Sequence, residues 1–156
     1  MKGIAIGLMA FFALVGGAMY FAKHTLNGME MEERTRGCVV EFADNVTWPS
    51  ELTVKKGHAL AVRGWSADTE RGVIPDRVEL LFADGGNEVA VGSSSPSIDR
   101  PDVAAEFHKP ALKRSGFSVI ANTSALQPGH WQIRVREYLP DRSVVCYSDK
   151  AVHIEE

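Results

Sequence analysis

Two apolar periods divide this chain. Residues 3–22 form one uncharged run, whereas from Gly37 onward the apolar positions tend to recur at every second residue. A period of two is the signature of a strand with one face buried and one face wet. It is clearest from Gly129 to Arg136: Trp131, Ile133 and Val135 fall on one side, and His130, Gln132, Arg134 and Arg136 on the other. Weaker versions pair Val40 with Phe42, Leu52 with Val54 and Leu60 with Val62. Others group Val78, Leu80 and Phe82, then Phe117, Val119 and Ala121, then Val144 and Cys146, and last a short segment from Val152 to Ile154.

Turn residues separate these runs at Lys56-Gly57, Asp84-Gly85-Gly86-Asn87, Gln127-Pro128-Gly129 and Pro140-Asp141. Seven or eight short strands at such intervals predict a two-sheet antiparallel sandwich, an all-β fold. One interruption breaks the pattern. From Arg100 to Phe107, an early Pro101, an acidic first turn and central alanines predict a short helix.

The uncharged run at about 1.5 Å per residue reaches ~30 Å, the thickness of a hydrocarbon core. It predicts one transmembrane helix, with residues 1–24 as anchor, 25–36 as a charged stalk and 37–156 as the sandwich. A cleaved signal peptide is the alternative, because Gly16-Gly17-Ala18 offers small residues at a cleavage position. Gly3, Gly7, Ala10 and Gly17 fall near one helical face and would let a second helix approach closely. Glycine is also simply common in membrane helices. Placement of the helix at the very start, ahead of a fold class suited to export, argues for an extracytoplasmic C-terminal domain, periplasmic or at the cell surface.

Charge narrows the partners. A net charge of −3 gives no attraction for phosphate backbones, so nucleic acid is excluded as an expected partner. Cys38 and Cys146 are the two cysteines, and both share parity with core-facing neighbours. In an exported domain they are expected to form a disulfide; two buried free thiols are the alternative. The histidines at 24, 58, 108, 130 and 153 have no zinc-like spacing, and no metal or cofactor is expected. There is no GxSxG elbow, P-loop or GxGxxG. Asp84, Asn87 and Glu88 read as a hairpin turn rather than a calcium loop, because the alternating ligand spacing is lacking.

Four pieces together resemble a bacterial immunoglobulin-like domain of the kind appended to cell-surface and glycosyltransferase-associated membrane proteins. They are Val62-Arg63-Gly64-Trp65-Ser66-Ala67-Asp68, Arg100-Pro101-Asp102-Val103-Ala104, Ser115-Gly116-Phe117 and Leu126-Gln127-Pro128-Gly129-His130-Trp131, in order over residues 58–137. The resemblance implies a β-sandwich accessory module without catalysis of its own, and it supplies no active-site residues.

Three functions follow as expectations. The first is a membrane-tethered, non-enzymatic module docking another envelope or membrane protein. The second is a carbohydrate-binding accessory domain. Trp48 and Trp65 near loops, whose rings could line a ligand surface or else cap the sandwich, and the Arg100–Asp102 pair are the candidate binding surface. The third, a small hydrolase, lacks any identifiable nucleophile–base pair.

Overall fold

The computed structural model describes residues 32–34 and 37–156. Ten strands occur among them: β1 (Glu32–Arg34), β2 (Cys38–Ala43), β3 (Val46–Thr47), β4 (Glu51–Lys55), β5 (Ala59–Ser66), β6 (Arg77–Asp84), β7 (Asn87–Ser94), β8 (Gly116–Asn122), β9 (Gly129–Tyr138) and β10 (Ser143–Glu155). One sheet runs β3-β2-β5-β8, and the other β1-β10-β9-β6-β7 with β4 also beside β10. In sequence order, the chain lays down a first edge strand, then crosses repeatedly from one sheet to the other. Its last two strands and β6 are neighbours in the larger sheet, and β7 extends that sheet beyond β6. This is the strand order of an immunoglobulin-like sandwich.

The period of two explains the core. Leu60 and Val62 of β5 and Phe117, Val119 and Ala121 of β8 are fully buried from one side. Val78, Leu80 and Phe82 of β6, Ile133 and Val135 of β9, and Val152 and Ile154 of β10 meet them from the other. Trp131 joins this core as its parity predicts, and its indole N–H donates to the Gln127 carbonyl at 2.9 Å.

Cys38 on β2 and Cys146 on β10 form a disulfide, with Cα atoms 6.1 Å apart across 108 residues of sequence. It ties the first strand of one sheet to the last strand of the other. At the far edge the sandwich closes without a covalent tie. A Cβ on Gly92 of β7 would lie 2.4 Å from the Ile120 carbonyl oxygen of β8, so only glycine permits this approach.

Four expectations need correction. The sheets are mixed rather than purely antiparallel, because β1 and β4 each pair parallel with a different half of β10. The stalk contributes β1, whose Glu32–Arg34 backbone pairs with Val144–Cys146. Ser93 and Ser94, where the serine run before Pro96 has the composition of a loop, end β7 in register with Glu79 and Val78. Val40 and Phe42 do not share a face: the register shifts between them, so Val40 is buried and Phe42 is 38% exposed.

Elsewhere the local reading holds. Asp84 and Asn87 pair across a two-residue turn, where Gly85 and Gly86 take φ of 51° and 108°. The short helix, α1, spans Pro101–Glu106, and a 3-10 turn follows at Pro110–Arg114. The anchor at residues 1–24 and its small residues Gly3, Gly7, Ala10 and Gly17 lie outside the described residues. Among those described, no helix is long and apolar enough to cross a membrane.

The long loop closed by Cys38–Cys146 sets a first prediction. Reduction, or paired Cys38→Ser and Cys146→Ala substitution, should lower unfolding free energy in urea by roughly 3–5 kcal/mol. A change below about 1 kcal/mol would mean that the unfolded chain is not the state the bond constrains.

Candidate functional site

The register shift in β2 shapes the outer face of the four-stranded sheet. Val39 pairs with Trp65 and Val40 with Gly64, then Phe42 pairs with Arg63, leaving Glu41 as the extra residue of a β-bulge. The bulge reverses parity. Phe42 emerges beside exposed Arg63, on the face that also carries Ile120 opposite Ala61. Ile120 is 61% exposed and Ile98, just before α1, 42%.

Glu41 has its own use. Arg100 donates to its two carboxylate oxygens at 2.6 and 2.9 Å, across 59 residues of sequence. The same guanidinium donates to Asp102 from Nε at 3.0 Å and from Nη2 at 2.6 Å. Arg100 therefore clamps the segment leading into α1 onto the β2 bulge. The N-cap residue, Arg100, makes no side-chain cap hydrogen bond to the helix, so its guanidinium is given to the two carboxylates. The Arg100 hydrogen bond is the main reason the Asp102 carboxyl falls to about 2, outweighing the desolvation that opposes it.

Between the clamp and the sheet lies a groove of about 550 Å³, lined by Phe42, Ile98, Arg63 and Arg100 among others. Its floor is the buried ring of Phe117, reached at Gly64. A Cβ on Gly64 would sit 1.9 Å from the Val39 carbonyl oxygen and 3.1 Å from Phe117, so this strand position must be glycine. A second hollow of about 340 Å³ shares Glu41 and Phe42 and continues past Trp48 to Asp149 and Lys150.

Both tryptophans near the loops are packed inside the fold. Trp48 is 2% exposed in the main core, and its N–H donates to the Ala151 carbonyl at 3.2 Å. Trp65 is 7% exposed under the helical insert, with the Phe107 ring 5.7 Å away and Val103 and Leu112 in the same apolar cluster. Of the two readings the packing one holds and the exposed ligand surface is corrected: β10 covers one ring and the insert covers the other. Of the four candidate surface residues, the structure gathers Arg100 and Asp102 at the groove. Phe42, Arg63, Ile98 and Ile120 were missed, and the bulge that exposes Phe42 leaves no signal in an alternation count.

The opposite face, on β6, β7 and β9, is built differently. Arg136 reaches Glu79 at 2.9 Å and Glu88 at 2.6 Å, Arg134 reaches Glu88 at 3.1 Å, and the Tyr138 hydroxyl donates to Glu79 at 3.0 Å. Arg77 lies 4.0 Å over the Tyr138 ring. Charges there answer one another.

Two histidines meet carboxylates at the surface: His58 with Asp44 at 2.9 Å and His130 with Glu51 at 2.6 Å. Among the described residues neither imidazole hydrogen-bonds a hydroxyl or thiol, and no group of three or more His, Cys, Asp or Glu is placed to hold a metal ion.

No protein-family model matches the chain, and no curated protein does. A solved structure of murine CRIg is similar at 16% identity and a TM-score of 0.35, over 76% of this chain and 96% of that one. Strand order, independently of that likeness, carries the fold assignment.

The clamp makes a pH prediction. Because the Asp102 carboxyl titrates at about 2 instead of 3.8, its pairing stabilises the fold above about pH 4 and is lost as pH falls through 2. Carbon-detected NMR titration should place its midpoint near 2, and Arg100→Gln should return it toward 3.8. A midpoint unmoved by that substitution would assign the shift elsewhere.

Proposed function

We propose that this chain is a non-catalytic, immunoglobulin-like interaction module, held to a membrane by residues 1–24 and displayed on the extracytoplasmic side. Its partner is another envelope or membrane protein, docked on the outer face of the four-stranded sheet. The observation carrying this reading is the β2 bulge. Uninterrupted alternation would send Phe42 inward after Val40, yet the extra residue Glu41 turns it into a groove beside Ile98 and Arg63. Bulges re-aim side chains at working edges of sheets, and aromatic and arginine side chains supply the anchors of protein interfaces.

Two observations support the location and the face. A disulfide across 108 residues of separation suits an oxidising compartment. The opposite face has its arginines matched to its own carboxylates, so a partner there would have to break or cover existing pairs. The glycan-binding alternative drew on the resemblance and on the rings of Trp48 and Trp65; the rings are buried, so it gains no support from this surface.

Site-specific photo-crosslinking in native membranes tests the assignment. Benzoylphenylalanine in place of Phe42 or Ile120 in the full chain should give one discrete adduct with another protein, and in place of Arg134 none. Equal adducts from Arg134, or none from the first two, would overturn the choice of face.

A further inference from the structure

We infer that the groove beside Phe42 takes an extended segment of a partner protein in which an apolar side chain stands next to a carboxylate. This rests on the outer face being the docking face and adds the chemistry of what docks. The charge argument comes first. Glu41 and Asp102 are both satisfied by Arg100. Arg63 lines the same groove, is exposed, and makes no ion pair with any described residue. Two carboxylates and two guanidiniums leave the groove neutral as a whole, and of these four groups Arg63 is the one that no described residue engages. A guanidinium's planar fork of donors matches a carboxylate in bidentate geometry.

Shape selects the rest. Phe42 forms a ridge with a hollow on each side, about 550 Å³ toward Ile98 and about 340 Å³ toward Lys150. An extended chain points alternate side chains the same way, so a strand-like segment can straddle the ridge and place one side chain in each hollow. A small metabolite would fill one hollow and leave the other open. A second copy docked by two-fold symmetry would bring the two Arg63 side chains to one interface with no free carboxylate of the groove between them.

The test uses the full chain in lipid nanodiscs and a synthetic array of nine-residue peptides. Each peptide carries Leu or Ser at one position and Asp, Asn or Lys two positions away. Binding should require both Leu and Asp. Arg63→Glu should weaken the Leu–Asp peptides by about tenfold or more and shift preference to the Leu–Lys peptides. Arg63→Lys should keep the Asp preference, and Arg134→Ser on the opposite face should change nothing. Arg63 is exposed, so each variant is first checked for an intact disulfide and native near-ultraviolet dichroism.

Equal binding of Asp and Asn peptides, or indifference to Arg63→Glu, would overturn the proposal. So would concentration-dependent self-association abolished by Arg63→Glu, which would identify a second copy as the occupant. If no peptide binds while the Phe42 crosslink to a partner persists, the docking face stands and the acidic, apolar segment does not.

Discussion

A strand packed on a core can turn only every second side chain toward solvent, and its neighbours in the sheet hold it to that beat. β2 obeys this from Cys38 to Val40, bonded to β5 in register and linked through Cys38 to β10. After Glu41 it resumes the beat one residue out of step, so that Ala43 is again buried opposite Val62. The core is intact on both sides of the slip. The outer surface is not: an aromatic ring stands on it, and Glu41 is free to reach Arg100. A single extra residue thus supplies both the ridge of the groove and the anchor for the helical insert.

The insert is what makes that ridge part of a groove. Trp65 lies on the outer face of β5, two register positions from Arg63, and the residues from Val103 to Leu112 cover it. Burial of that indole ring, worth a few kcal/mol at usual transfer values, holds one end of the insert. The Arg100 clamp holds its entry. Exposed ion pairs contribute little singly, but the Arg100 side chain is 16% exposed and Glu41 27%, and both donor–acceptor contacts between them are short. The clamp's main effect is positional: it fixes Ile98 and Arg100 as one wall of a groove whose other wall is β2.

What could be read in the sequence follows from range. Trp131 and the strands β5, β6, β8 and β9 were legible because alternation is local and the core enforces it residue by residue. The disulfide was legible because parity placed Cys38 and Cys146 on inward faces of the first and last long strands. Phe42 was misread for the converse reason. A bulge keeps the same residue types and changes only their phase, which depends on what β5 presents. Trp48 and Trp65 left two readings open because β10 and the insert bury them from 103 residues away and from about 40. The short strands β1 and β4 were equally hard to foresee in their pairing, since each takes its partner from the end of the chain.

The two faces of the sandwich now differ in what they leave unfinished. On β6, β7 and β9, arginine, glutamate and tyrosine close a network among themselves, so desolvating that face would set intact pairs against any new contact. On the other face, Arg100 is committed twice over and Arg63 to no described residue, beside apolar groups that already stand in water. Covering Phe42 and Ile98 removes apolar surface from solvent, a favourable step, and meeting Arg63 with a carboxylate offsets the desolvation of its guanidinium. Both steps use groups held by strands and a clamped insert rather than by a free loop, so little ordering entropy opposes them.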